Sequence, residues 1–458
     1  MKFKHLQHLF QRSGFGLIPN EFVKLQKKSK KQVVNNLFEA SKTISSLKVV
    51  SHNDFKLLKN YKSLSTKQKK EFRKQNRARI IDLNIAWIET LFNPKELLRE
   101  RMTLFWANHF VCKAQNSFHI QKFNNILREN ALGNFRDFVK EVAKSASMIK
   151  YLNAKQNKKQ SPNENFAREL MELFTLGVGN YSEKDIKEAA RAFTGWNHKL
   201  NGDFILNKKQ HDFGEKEFFG KIGNFNGDAI IDIILNEKQC AKFICEKIYK
   251  YFVNTNINSN HINELIEVFY PNYDIEKLMH HIFMSKWFYS NENIANKIKS
   301  PIELLAGINK TVPIQFKVTK QLIYLQKRLG QQLLNPINVA GWEGGQSWID
   351  TNTLMLRLKL PSILLNNAVI SLAGISEFED TYEQYLKNRR SKKGKLKIDQ
   401  NWDEFYKNYN NLSAEEMQQY LLLGELSEDA SELLSEITFK NPKDYCIQLM
   451  SLPEYQLC

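Results

Sequence analysis

Glu169 and Glu172 stand three residues apart in SPNENFARELMELFTLGVG, residues 161–179. A helix over 162–176 would carry both on adjoining edges of one face. At about 100° per residue Glu169 falls inside the arc of Phe166, Leu170, Leu173 and Leu176. An ionised carboxylate placed in apolar surroundings costs several kcal/mol unless it meets a cation, a metal, hydrogen-bond donors or a proton. Two readings follow. One is a buried ion pair with Arg191 or Arg128 from a neighbouring helix. The other is a general acid/base or metal ligand with a tuned pKa, the two carboxylates sharing one divalent ion. The ExxH spacing of helical di-metal centres is absent.

Two histidines stand out among the ten. His109 ends the apolar run LFWANHFVC, and His211-Asp212 opens HDFGEKEFFG, with Lys216 close behind. A carboxylate beside an imidazole can orient it for proton transfer, and a lone apolar-face histidine is as readily a core residue. His280-His281 reads as structural. Cys112, Cys240, Cys245, Cys446 and Cys458 lack the CxxC spacing of zinc or redox pairs and read as buried thiols. No nucleophile elbow, P-loop, dinucleotide fingerprint or HExxH occurs, which excludes the enzyme classes built on them.

The elements that must position these groups are helices. In 458 residues there are only 19 Gly and 10 Pro, too few for a sandwich or propeller. Ser161, Pro162 and Glu164 spell a capping box and Gly177 a stop. Ser182 with Asp185 opens the next helix, 183–194, so the pair forms an αα-hairpin from which Arg191 can reach back. Asn93-Pro94 starts a helix over 95–113. The expected fold is all-α: a large multi-helix domain, 1–385, with two long Gly/Trp-rich loops at 197–228 and 329–350 and room for a short hairpin near 203–220. A linker at 387–397 leads to a small C-terminal helical appendage packed on it, within 386–458, its helical piece running over 401–450.

Net charge is +18, and residues 1–80 hold 20 Lys/Arg against 4 Asp/Glu, so the basicity belongs to the segment 24–80. Such a cluster attracts polyanions through counterion release, or serves as a solvated docking face. No zinc-finger, RNP or helix-turn-helix pattern accompanies it. The N-terminus shows no signal-peptide h-region and no run is long enough to span a membrane, so cytoplasm is the default compartment.

The segments HLFQRSGFG (8–16), FWANHF (105–110), NALGNF (130–135), PNENFARELMELFTLGVGNYSEKDIKEAARAFTGW (162–196), HDFGEKEFFG (211–220), KSPIELL (299–305), LGQQLLNPINVAGWEGGQSWI (329–349) and PEYQL (453–457) resemble the bacterial "domain of unknown function 1800" family, in order and over nearly the whole chain. The sequence departs from the family in its Lys-rich stretch near 42–80 and in Asn335-Pro336-Ile337, where a double proline is commoner. The resemblance carries no established activity. It marks His109, Asn163, Glu164, Arg168, Glu169, Glu172, Arg191, Trp196, His211, Asp212, Lys216, Gln331, Asn338 and Trp342 as motif residues. It also implies a neighbour similar to the sulfatase/alkaline-phosphatase superfamily, and export together with such a signal-bearing partner as an alternative to the cytoplasm.

The first expectation is therefore an enzyme, a hydrolase or group transferase. Glu169, Glu172, His109, His211 and Asp212 would do the chemistry, and Arg168, Arg191, Trp196, Lys216, Gln331, Asn338 and Trp342 would bind substrate. The alternative is a non-catalytic helical scaffold or partner of a phosphatase/sulfatase-like protein, its polar centre an ion-pair network.

Overall fold

Serine-led helix starts recur along the chain. Ser29, Ser65, Ser182, Ser300 and Ser413 each accept from the N–H three residues on, where Gln32, Gln68, Asp185, Glu303 and Glu416 return the bond. The computed structural model describes residues 1–51, 61–366, 396–436 and 441–458. Among these it holds 21 helices and a few short strands, so the fold is predominantly α. No helix among the described residues is long and apolar enough to cross a membrane. All five cysteines are free and buried.

Helix Leu97–His109 runs through the middle and is buried along most of its length. Its apolar side carries Trp106, packed against the rings of Phe110, Phe135 and Phe138. Its other side carries charge. Arg99 donates to the carbonyls of Ser41 and Arg128 at 2.7 and 2.8 Å. Glu100 forms a two-pronged pair with Arg128, both side chains fully buried. Arg101 pairs with Glu303 at the start of helix Pro301–Thr311.

Several expectations need correction. The helix expected over 162–176 is α-helical only over Asn165–Glu169 and continues as a π-helical turn over Leu170–Thr175. Leu176 and Gly177 both donate to the Met171 carbonyl, at 2.8 and 3.1 Å. The wider turn rotates each residue by less than an α-helix does, so the angular positions worked out for Glu169 and Glu172 do not hold. Ser161 does not cap this helix: it bridges to Lys158, and Asn163 Oδ1 instead accepts from Asn165 N. The helix expected over 95–113 stops at His109.

The 197–228 region contains two hairpins rather than one. Trp196–His198 pairs with Phe204–Leu206, and Lys216–Phe218 pairs with Lys221–Gly223. Gly195, at φ +77°, permits the first: a Cβ there would lie 2.6 Å from the Asn207 carbonyl oxygen. The helical piece expected over 401–450 consists, among the described residues, of four helices, Trp402–Tyr409, Ala414–Leu421, Glu428–Glu436 and Pro442–Met450. Strand Ile398–Gln400 pairs with Ile314–Phe316, and Leu457 bridges to Ile298. The linker expected at 387–397 lies, up to residue 395, outside the described residues.

The Glu100–Arg128 pair gives a stability test. Arg128→Met leaves a buried carboxylate without its partner, a loss of about 3–5 kcal/mol. The double variant Glu100→Leu/Arg128→Met removes both charges. In thermal denaturation the single variant is expected to melt well below the double variant. Equal losses would show that the pair itself, and not the stranded charge, sets the cost.

Candidate functional site

The sequence-derived residues divide into three groups in space. The first is the carboxylate turn. Glu172 accepts from the Tyr181 hydroxyl at 2.9 Å. Glu169 is half-buried and has no hydrogen-bond or ion-pair partner among the described residues. Neither arginine expected to meet it does so: Arg128 is taken by Glu100, and Arg191 by Asp212 and Glu188. Burial, and next the charge of Glu172, raise the Glu169 pKa, with Arg168 opposing. Arg168 turns outward, where it grips Glu183 with two 2.9 Å bonds and Glu164 with one of 3.1 Å. It is a surface ion-pair residue.

The second group surrounds His211 and is saturated. His211 Nδ1 lies 2.7 Å from the Thr194 carbonyl. That places the proton on Nδ1, since a carbonyl can only accept. Asp212 orients no imidazole here. Its Oδ2 accepts from Arg191 Nε at 2.8 Å, its Oδ1 from Gly214 N at 2.8 Å, and its own N–H donates to Thr194 Oγ1. Burial pushes the Asp212 pKa up, but the Arg191 bond and the Gly214 N–H outweigh it and hold the pKa low. Lys216, buried, donates to the carbonyls of Asp212 and Gly214. Trp196 is buried with Phe166, Phe193 and Phe204 around its rings, and so presents no stacking face.

The third group lines a cavity of about 790 Å³ that contains His109, Gln331 and Trp342. Asn108 builds one wall: its Oδ1 accepts from Trp342 N at 2.7 Å and its Nδ2 donates to Trp342 O at 2.9 Å. Gly341 is required at this contact, because a Cβ there would fall 2.3 Å from Asn108 Oδ1. Gln331 Oε1 accepts from Ile302 N at 3.0 Å, satisfying a free N–H at a helix start. Asn338 is exposed and only shapes its own turn, accepting from Ala340 N.

His109 Nε2 lies 3.0 Å from the Phe174 carbonyl, which puts its proton on Nε2. Nδ1 is then a bare acceptor, buried and without a partner. Burial first, and Lys247 second, lower this imidazole to about 3, so it is neutral throughout the physiological range. Leu173 also faces the cavity, but Glu169 and Glu172 are not among the residues lining it.

Glu303 and Lys297 are the cavity residues that sequence reasoning missed. Lys297 Nζ stands 2.8 Å from Glu303 Oε1 and 4.1 Å from the centre of the Tyr251 ring. The available signal was the Ser300-Pro301-Ile302-Glu303 helix start, but a capping glutamate is expected to be satisfied locally. Here the same carboxylate also holds Arg101 and Lys297.

A divalent ion does not fit the expected donor set. Among the described residues no three His, Cys, Asp or Glu side chains converge, so the Glu169–Glu172 pair has no third ligand. The fold and cavity define a helical protein with a chamber of mixed polar and apolar lining beside its central helix. The chain belongs to the family described as "Protein of unknown function (DUF1800)", matched over residues 8–457. No curated protein and no solved structure matches it.

Glu169 yields a pH test. Its folded pKa is raised, so ionisation penalises folding. The penalty is complete above the folded pKa and gone below the unfolded value of about 4.3. Glu169→Gln is expected to melt above wild type at pH 7, with the difference closing as pH falls toward about 4. A lower melting point for the variant at pH 7 would show that the carboxylate is paired.

Proposed function

We propose that this chain is an enzyme of the hydrolase or group-transfer class whose substrate occupies the 790 Å³ cavity. The observation that carries this reading is convergence. Residues from FWANHF, KSPIELL and the 329–349 segment, far apart in sequence, meet around one chamber. A large concave site with a few convergent polar groups is the usual setting for small-molecule chemistry. His109 lines the cavity as a neutral imidazole, since its low pKa removes it from proton exchange near neutrality. Glu169, the partnerless carboxylate four residues before the cavity residue Leu173, lies outside the lining, so its assignment to proton transfer requires a substrate that extends past Leu173.

The non-catalytic reading also has an observation in its favour. The Asp212–Arg191–Glu188–Lys216 network is internally satisfied and holds the Lys216–Phe218 hairpin against helix Glu183–Ala192. In that reading the chain is a helical scaffold for a phosphatase/sulfatase-like partner, and the exposed lysines of 24–79 are its docking face or a weak polyanion site.

The two readings part in a turnover assay on 4-nitrophenyl acetate, phosphate and sulfate. The enzyme reading expects wild-type release of nitrophenol from at least one ester. Glu169→Gln should lower the rate by about 100-fold or more, and the pH profile should have an acid limb above the usual carboxylate range. Equal rates for wild type and variant on all three favour the scaffold.

A further inference from the structure

Beneath the cavity floor lies a concentration of buried positive charge that the catalytic reading does not use. Arg12, Arg101, Lys297, Lys299 and Arg357 are all buried, none more than 7% exposed. Among the described residues Glu303 is the single carboxylate paired with any of them. The rest of the chain solvates them with carbonyls, amides and ring faces. Arg12 Nη2 donates to Asn296 Oδ1 at 2.7 Å, Lys299 Nζ to the Tyr455 carbonyl at 2.7 Å, and Arg357 Nε to Gln456 Oε1 at 3.1 Å. Arg101 lies over the Tyr251 and Phe15 rings.

This solvation is incomplete. Nε and Nη1 of Arg12, Nε and Nη1 of Arg101, and Nη1 of Arg357 are buried without a partner. Five orphaned guanidinium N–H positions in one cluster represent several kcal/mol of lost hydration. The Cys458 thiol sits among these cations; burial opposes its ionisation, but Arg12, Lys297, Lys299 and Arg101 lower its pKa. Among the described residues, even with that thiol ionised, the three arginines outnumber it and Glu303 together. A buried excess of one sign is tolerated when a counter-charge arrives from outside.

Of these five cations Lys297 lines the cavity, while Arg101 and Arg12 stand behind the lining residues Glu303 and Asn296. Asn296, Lys297, Ser300 and Glu303 form its wall on that side, and the exposed Lys247 and Lys250 add further positive charge at the rim. The lining also has an apolar part, with Leu104, Phe105, Leu173, Trp342 and Trp348.

We propose that the cavity binds an organic oxyanion: its phosphate, sulfate or carboxylate group sits against Lys297, Lys247 and Lys250, and its apolar body lies along Trp342 and Trp348. The proposal rests on the reading of this cavity as the ligand site and names the class of ligand. An oxyanion is a counter-charge for the lysines that line the cavity and for the buried arginines behind Glu303 and Asn296, which feel its field without touching it. A metal ion would be repelled by the same charges, and a neutral ligand would leave them uncompensated.

Calorimetric titration of the full chain with inorganic phosphate, 4-nitrophenyl phosphate, 4-nitrobenzoate and the neutral 4-nitrobenzyl alcohol tests this. Saturable binding of the anions is expected, with the two nitrophenyl anions tighter than phosphate and the alcohol at least tenfold weaker than 4-nitrobenzoate. Lys297→Met should weaken anion binding by ~10-fold or more. Should that variant not fold, Lys247→Gln/Lys250→Gln, altered only at the exposed rim, should weaken it several-fold. Anion affinity unchanged in these variants would place binding elsewhere, such as the lysine-rich face at 24–79, and overturn the proposal. Alcohol binding as tight as 4-nitrobenzoate would overturn it while leaving the cavity a ligand site. Anion binding as expected without turnover of any ester would sustain it and remove the catalytic reading.

Discussion

The contact between Arg101 and Glu303 is the constraint from which most of the architecture follows. Arg101 sits on a helix buried along most of its length, so its charge has no route to water. A guanidinium in that position must find a carboxylate, and the carboxylate comes from about 200 residues along the chain. The same logic repeats one and two residues earlier: Glu100 draws in Arg128, and Arg99 draws in the carbonyls of Ser41 and Arg128. Three adjacent charged side chains thus fix where three remote segments meet. Hydrophobic packing around Trp106 supplies the bulk of the driving force, but it is tolerant of small slips. A buried ion pair is not, because a misplaced partner leaves a charge stranded.

The cavity is a by-product of that fixation. Once Glu303 is held, Ser300 and Lys297 have fixed positions beside it. At the far end of the same central helix, Asn108 grips both backbone polar groups of Trp342, and His109 reaches the carbonyl of Phe174. One rigid rod therefore locates the floor, one wall and the imidazole. Sites carried by helices keep their geometry better than sites carried by loops. The glycine-rich 341–345 stretch bends around the remaining side, where Gly341 allows the close approach to Asn108.

The sequence made some of this legible. Helix content followed from sparse Gly and Pro, and the Ser182–Asp185 start was readable because capping depends on residues within one turn. The π-helical turn at Leu170–Thr175 was not, since no local pattern distinguishes it from an α-helix and it shifts every later side chain. The partners of Arg128 and Arg191 were also beyond reach, because ion pairing across helices depends on packing that composition does not encode. Glu303 was hidden by a different cause: a local role, closing the Ser300 cap, sufficed to account for it.

Satisfaction of polar groups separates structure from function within the polar centre. Around Asp212 both carboxylate oxygens, the Arg191 side chain and the Lys216 ammonium are engaged, so the network can hold two hairpins in place but has nothing left to offer a ligand. At the central chamber the balance is reversed. In and behind its lining, His109 Nδ1, Trp342 Nε1 and five guanidinium nitrogens of Arg12, Arg101 and Arg357 are buried and unengaged, and Glu169, outside the lining, has no partner among the described residues. Folded proteins rarely leave so many polar atoms unmet in one region, because each is a loss measured against water. The proposed ligand would offset the charge of these arginines from the chamber side, where Lys297, Lys247 and Lys250 are the cations it can touch.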